Sequence, residues 1–334
     1  MIGEIDRFVL PLDAPHTLRY FYDALFVPHG MRERMHKLTR RKPRPVQDDS
    51  ARELFAMLGA RANRAATSII LRDYPDSDRQ RTMAFLFERD ARTPYAIAKA
   101  QRTPADPRWS LRNEADAMER ARAALPPELR RSVPEVLASE SHGTSELLVI
   151  EALPGRSAYI DMQASFVPWR YVDAHFAAAS RWLADFHLAT RSNELSASHG
   201  DFWARNFLHD GNSIAVVDWE NFTLDTPPHV DLFHYPLTYG LNYAGARLRR
   251  VAPERAFTRT FIAPTRVSRA VRRYLADYAQ RTNTPLASLL PAFRTYLETE
   301  GTMGVARPQP GTRLLPWQQF LAMIDGARGS VFTG

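Results

Sequence analysis

Asp201, Asn206 and Asp218 fall within one short stretch, "SHGDFWARNFLHDGNSIAVVDWENF" (198–222). Two carboxylates and a carboxamide are hard oxygen ligands. They suit a cation that keeps several of its waters, which means Mg²⁺ rather than zinc. Asp210, Gly211, Asn212 and Ser213 are turn residues, with strand formers on both sides, so the stretch reads as a β-hairpin. Such a hairpin sets Asn206, at the start of one strand, near Asp218, at the end of the other. Asp201 precedes them in a loop broken by Gly200. A polar hairpin end with solvated acids is the plain alternative for any single aspartate here. Three such groups after His199 and before an apolar strand point to a site.

The elements around that stretch are of two kinds. Before it, "ATSIILRDY", "RTMAFLFERD", "TPYAIAKAQ", "VPEVLAS" and "ELLVIEAL" read as strands. In the third of these, Tyr95, Ile97 and Lys99 share one face, which puts a lysine where an apolar partner is expected. "DDSARELFAMLGAR" reads as a short helix capped by Asp49 or Ser50. "WSLRNEADAMERARAAL" reads as a longer one, with Ser110 at its cap and Glu114 in its second turn. Pro154-Gly155 breaks the chain, which is then mostly helical apart from the hairpin. The expected helices are "DAHFAAASRWLADFHLAT" and segments near 231–248, 266–282, 285–300 and 315–328. The organisation expected is an N-terminal extension of unassigned structure (1–60), a β-rich lobe (61–153) and an α-rich lobe (154–334). Ligands favour the cleft of such a two-lobe architecture.

Composition limits the class. The chain has 334 residues, 45% of them hydrophobic and 24% charged, enough for one large core or two moderate ones. It has no apolar run long enough for a membrane span. The start lacks a basic segment followed by a long apolar one, and there is no cysteine, so a cytoplasmic protein is expected. The net charge of +7 raises the question of nucleic acid, but the excess is arginine dispersed along the chain. The one dense basic run, "KLTRRKPRP" (37–45), reads as a solvated linker, so nucleic acid is not an expected partner.

Taken together, "HGDFWARN", "VVDWE", "PPHVDLFHY" and "LADFH" resemble the aminoglycoside phosphotransferase family, the small-molecule branch of the protein-kinase-like fold. Upstream, "AIAK" is similar to the family's strand lysine, Glu114 to its helix glutamate and "LVIEALPG" to its hinge. The resemblance covers roughly 60–245 and implies an α+β, bilobal protein-kinase-like fold with a small β-rich N-terminal lobe and a larger, mostly α-helical C-terminal lobe. It implies transfer of the γ-phosphate of ATP or GTP to a hydroxyl of a small-molecule acceptor. By resemblance, Asp201 accepts or orients the hydroxyl proton, and Asn206 and Asp218 hold Mg²⁺ against the phosphates. Lys99, paired to Glu114, binds the α/β-phosphates; Glu119 competes for that pairing. Backbone groups from Glu151 to Leu153 meet the base edge. His199 either braces the loop or carries a proton, with bracing the favoured reading. Asp231 is expected to be a buried anchor.

Two features depart from the wider kinase pattern. The connection "DYPDSDRQRT" contains no glycine, so Ser77, Arg79 and Arg81 would have to meet phosphate through side chains. Trp-Glu follows Asp218 where a protein kinase has Phe-Gly. As for the acceptor, residues after Phe222 include fourteen arginines against seven acids, which favours a neutral or anionic sugar or glycan-related compound over a polycation. Solvated helix surface is the plain reading of many of those arginines. Core packing is likewise the default for Phe233, His234, Tyr235, Tyr239 and Tyr243, with sugar stacking the alternative. The rival readings are a nucleotide-binding pseudokinase without turnover, a nucleic-acid-binding protein, and a metal hydrolase that would draw on His209 or His229.

Overall fold

The computed structural model describes residues 7–10, 56–74, 81–163, 169–210, 214–248, 251–306, 316–327 and 330–332. The basic run 37–45, the cap at Asp49 or Ser50, the hairpin turn 211–213, and Ser77 and Arg79 lie outside them. The chain divides into two compact units. One is Met1–Arg156 with Ala215–Phe222; the other is Ser157–Ile214 with Thr223–Gly334.

The first unit is built on a six-stranded antiparallel sheet. Its strands are β1 (Arg7–Leu10), β2 (Ser68–Tyr74), β3 (Arg81–Phe87), β4 (Ala96–Arg102), β5 (Val136–His142) and β6 (Ser145–Glu151), in the spatial order β1-β2-β3-β4-β6-β5. Four strands lie where the sequence places them. β5 runs on to His142, and β1 arises in the stretch left unassigned. One face carries Ile69, Ala84, Leu86, Ala96, Ala98 and Val149, packed against Leu58 of the helical segment 56–61 and Ala62 just after it. The opposite face meets α1 (Leu111–Ala124), which packs on β4, β5 and β6. Ser110 caps this helix as expected, its hydroxyl accepting from the Asn113 N–H at 2.9 Å. The buried stripe of α1 is Leu111, Glu114, Ala115, Met118 and Ala121, at helical spacing. Glu114 lies in the first turn, not the second, and it is a carboxylate within an apolar stripe.

The segment Ala215–Phe222 completes this unit. Val216 N–H donates to Ser132 O at 2.8 Å, and the fully buried Trp219 donates from Nε1 to Val216 O at 2.7 Å. These bonds fix the backbone on both sides of Asp218, which itself sits at φ 70°. That left-handed conformation is uncommon for a residue with a side chain, although Asp tolerates it better than most.

The second unit is mainly helical: α4 (Trp169–Ala189), α5 (His229–Leu248), α6 (Pro253–Phe257), α7 (Arg266–Thr282), α8 (Leu289–Ala306) and α9 (Trp317–Asp325), after the shorter α2 (Pro127–Arg130) of the first unit and α3 (Ala158–Gln163). The helix expected over 285–300 begins with a 3₁₀ turn, Leu286–Ser288, and runs later. Both arms of the expected hairpin are strands, β9 (Phe207–His209) and β10 (Ile214–Val216). Three strands were not foreseen, β7 (Arg156–Ser157), β8 (Ser196–Ser198) and β11 (Thr223–Thr226), of which the last two pair antiparallel at Ser198 and Thr223. α7 turns Val267, Ala270, Val271, Tyr274 and Leu275 inward and leaves Arg266, Arg269, Arg272 and Arg273 exposed, so "RVSRAVRR" is helix surface.

α5 contains Pro236, whose missing N–H deprives the carbonyl four residues earlier of its helical partner. That carbonyl belongs to Leu232, and the buried Tyr274 hydroxyl donates to it at 3.0 Å, which closes the account. Phe233, Tyr235, Tyr239 and Tyr243 are all buried, so they are core aromatics rather than a stacking face. The chain is a mixture of helix and antiparallel sheet, in keeping with the α+β expectation. No helix among the described residues is long and apolar enough to cross a membrane.

Candidate active site

In the first unit, β4 turns Ala96 and Ala98 to the apolar face, and so turns Lys99 and Gln101 to the face covered by α1. Lys99 is 5% exposed and Glu114 is fully buried. The ammonium donates to Glu114 Oε1 and, at 3.2 Å, to Asp218 Oδ1. Burial works against the charge on Lys99, but Glu114 and then Asp218 outweigh it and raise its pKa. Glu119, the competing glutamate, is exposed. Lys99, Glu114 and Asp218 thus form one ionic group.

Two further residues that the sequence reading left out of this group belong to it. Arg81, first in β3, places Nη1 at 3.9 Å from Asp218 Oδ1 and 4.0 Å from Glu114 Oε2, and donates from Nη2 to Glu220 Oε2 at 3.3 Å. Its Nε donates to Gln101 Oε1 at 3.1 Å, so it is turned inward onto side chains. Gln101 in turn donates to Glu146 Oε2 at 3.0 Å and Trp109 O at 2.8 Å. The same Glu146 oxygen accepts the Leu111 N–H at 2.8 Å. Two cations therefore face the three carboxylates of Glu114, Asp218 and Glu220, leaving the cluster one net negative charge. Carboxylate oxygens of these three residues lie within 4.8 Å of one another, a donor set that fits a hard divalent cation.

At the hinge, Glu151 N–H donates to Glu135 O at 2.9 Å and Ala152 N–H to Tyr95 O at 3.1 Å. Among the described residues, Leu153 N–H makes no such bond.

In the second unit, the "HGD" turn is held from α5. Asp231, fully buried, accepts from Ser198 Oγ (3.0 Å) and His199 N–H (2.7 Å) at one oxygen and from Gly200 N–H (3.0 Å) at the other. Burial raises the Asp231 pKa, opposed by His199 and the Ser198 hydroxyl. Gly200 takes φ 76°, where a side chain would be strained. His199 is fully buried, and its Nδ1 accepts the Asp201 N–H at 3.3 Å. The ring is thereby tied to the loop that carries Asp201.

Asp201 remains about a third exposed, its carboxylate open on one side. Asn206 donates from Nδ2 to Asp201 Oδ2 and to its carbonyl, both at 3.0 Å. His234, which the sequence reading left among the aromatics, places Nε2 at 3.4 Å from Asp201 Oδ1. Its spacing three residues after Asp231, on the same helix face, was the available signal.

The model of the phosphotransferase enzyme family matches residues 159–261, a span that holds "HGDFWARN", "VVDWE" and "PPHVDLFHY". No curated protein matches the chain. The match supports phosphotransferase activity in general terms. Over residues 159–261, the part that contains its motifs, the chain is similar to the phosphotransferase enzyme family, as those motifs led us to expect.

Proposed function

We propose that this protein is a Mg²⁺-dependent small-molecule kinase of bilobal, protein-kinase-like build. It moves the γ-phosphate of a nucleoside triphosphate, ATP in our reading, to a hydroxyl of a small acceptor. The observation that carries the reading is the buried group of Lys99, Glu114 and Asp218 in a chain that also holds Asp201 and Asn206 on an anchored turn. Phosphoryl transfer asks little covalent chemistry of a protein; it asks for positioning and for neutralised charge.

In this reading Lys99 meets the nucleotide phosphates, and Glu114 keeps it charged and directed. Glu151 and Leu153 offer backbone groups to the base, with the Leu153 N–H uncommitted. Asp218 and Asn206 hold Mg²⁺, which when bound neutralises charge on the phosphates. Asp201 takes the acceptor's proton while the hydroxyl oxygen bonds to phosphorus. His199 and Asp231 keep the turn in place. The arginine excess after Phe222 supports a neutral or anionic hydroxyl compound, such as a sugar, a sugar phosphate or a glycan intermediate, over a polycation.

Thermal unfolding with and without Mg²⁺-ATP tests the nucleotide step. Binding to the native state stabilises by about 2.7 kcal/mol at a hundredfold excess over Kd. Asp218→Ala should lose the magnesium-dependent part of that shift; an equal response in both proteins would refute the metal assignment. A coupled ADP-release screen over sugars, amino sugars, nucleosides and choline-type alcohols then identifies the acceptor. The glycine-free connection after β2 favours one second reading, a nucleotide-binding module without turnover. Tight nucleotide binding with no ADP release, even to water, would select it.

A further inference from the structure

We propose that His234 is a positioning residue for Asp201, holding one carboxylate oxygen from α5 while Asn206 holds the other. The inference rests on the proposed function for its catalytic meaning, but not for its geometry. Asp201 Oδ2 receives the Asn206 carboxamide at 3.0 Å, and Oδ1 lies 3.4 Å from His234 Nε2. The ring's other nitrogen, Nδ1, is 3.1 Å from the hydroxyl of Tyr296, a buried residue of α8. A hydroxyl can donate or accept, so Tyr296 supports the ring whether it is neutral with its proton on Nε2 or a full imidazolium. In both states Nε2 carries the hydrogen that faces Asp201.

The arrangement follows from the helix. Asp231 and His234 are three residues apart and so lie on one face of α5. The first grips the turn at Ser198, His199 and Gly200, and the second reaches the aspartate that follows. α5 itself is fixed at this level by the Tyr274 hydroxyl on Leu232 O, and the Thr238 hydroxyl donates to His234 O at 2.6 Å. One helix face therefore holds four consecutive residues of the loop.

The charged and titratable groups around the ring are Asp201 from the loop, Asp231 from α5 itself, and Tyr296 and Glu300 from α8. Burial disfavours the imidazolium, but the bond and charge contact with Asp201, then Glu300 and Asp231, outweigh it and raise the His234 pKa. Held at both oxygens, the Asp201 carboxylate presents its remaining lone pairs in one direction. In the transfer step the acceptor's O–H proton passes to that carboxylate and the acceptor oxygen bonds to phosphorus. The bond from phosphorus to the β-phosphate oxygen breaks, and its electron pair leaves with the diphosphate. His234 neither gains nor loses a proton in this step; it holds the base.

The pairing is tested without turnover by histidine C–H NMR across pH. The His234 signal is assigned by its absence from His234→Phe, or from His234→Gln if the first variant does not fold. We expect it to titrate above the free-histidine value of about 6.5, and to move down in Asp201→Asn. A midpoint unchanged by Asp201→Asn would overturn the pairing, whatever the protein's activity. The positioning role is read from Mg²⁺-ATP turnover on the identified acceptor or, failing one, on water. His234→Phe should lower kcat by about 10- to 100-fold, the range for residues that orient a reacting group, with KM for ATP within about twofold. His234→Gln, whose amide can still donate, should recover part of the loss. Because Nε2 keeps its hydrogen in both protonation states, the loss in His234→Phe should be seen on both sides of the His234 midpoint rather than on one limb of the pH profile. Wild-type kcat in His234→Phe, or a loss confined to one side of the midpoint, would overturn the role. Absence of any Mg²⁺-ATP turnover in the wild type would instead strike the proposed function and leave the NMR result standing.

Discussion

Replacing Lys99 by methionine removes a cation from a place where a carboxylate cannot be left alone. Glu114 is fully buried, and Lys99 is its hydrogen-bonded partner. Breaking a buried ion pair from one side typically costs about 3–5 kcal/mol, because the remaining charge stays desolvated. Arg81, at 4.0 Å from the other Glu114 oxygen, softens that loss. We therefore expect Lys99→Met to cost about 3 kcal/mol, the lower end of that range. Glu114→Leu should cost less, since Lys99 keeps Asp218 at 3.2 Å. The double variant should lie within about 1 kcal/mol of wild type, because an apolar pair of similar volume removes both desolvation costs. Urea unfolding followed by far-UV circular dichroism and tryptophan fluorescence reads all three, and the two signals show whether the units melt together. The raised Lys99 pKa means that its contribution is fully present below about pH 10 and is lost only as pH rises through the folded value. A Lys99→Met cost under about 1 kcal/mol, or single costs that simply add in the double variant, would refute this account of the cluster.

Three further outcomes follow from the same geometry. Asp231→Asn keeps the shape, but sets an amide N–H against one of the donors at Ser198, His199 or Gly200. It should destabilise by about 2–3 kcal/mol, since hydrogen bonds to a charged group contribute about 1.5–3 each; a change under about 0.5 kcal/mol in a thermal melt, the size expected of an ordinary surface substitution, would contradict the anchor. His187 is buried with its pKa lowered to about 3 by desolvation and then by Arg191, so it folds neutral. The unfolded chain protonates it below about pH 6.5, and stability should fall by up to about 1.4 kcal/mol per pH unit from there toward the folded value. His187→Phe should flatten that acid slope in denaturant titrations at a series of pH values. Asp201→Asn should lower turnover by about 10²–10⁴-fold with nucleotide affinity within a few-fold; a large loss of affinity in calorimetry would move Asp201 into the metal shell.

The sequence carried the parts of this molecule that local chemistry marks. A lysine inside a strand that otherwise alternates, a serine before a helical stripe and an aspartate–asparagine spacing around a turn each have a signature within a few residues. Arg81, Gln101, Glu146 and Glu220 have none. Arg81 meets Glu220 across 139 positions and Gln101 meets Glu146 across 45, and only the completed sheet brings such pairs together. The strands β8 and β11 were missed for a related reason, since each is three or four residues long and exists through the other. α8 starts late because Pro285 opens a 3₁₀ turn before it. His234 was assigned to the core by the company it keeps, between Phe233 and Tyr235, although helical geometry turns it the other way.

The start of α1 is tied down more firmly than packing alone requires. Leu111 N–H is bonded to Glu146, the Asn113 carboxamide donates to Glu220 O at 3.0 Å, and Glu114 is bonded to Lys99. A helix held this way does not swing out cheaply: releasing it forfeits two hydrogen bonds of about 1 kcal/mol net each and exposes the buried pair to separation. Kinases that are switched by an outward movement of the glutamate-bearing helix need that movement to be nearly free. In the function proposed above, Lys99 and Glu114 are paired before any nucleotide arrives, so no such movement is needed to bring them together.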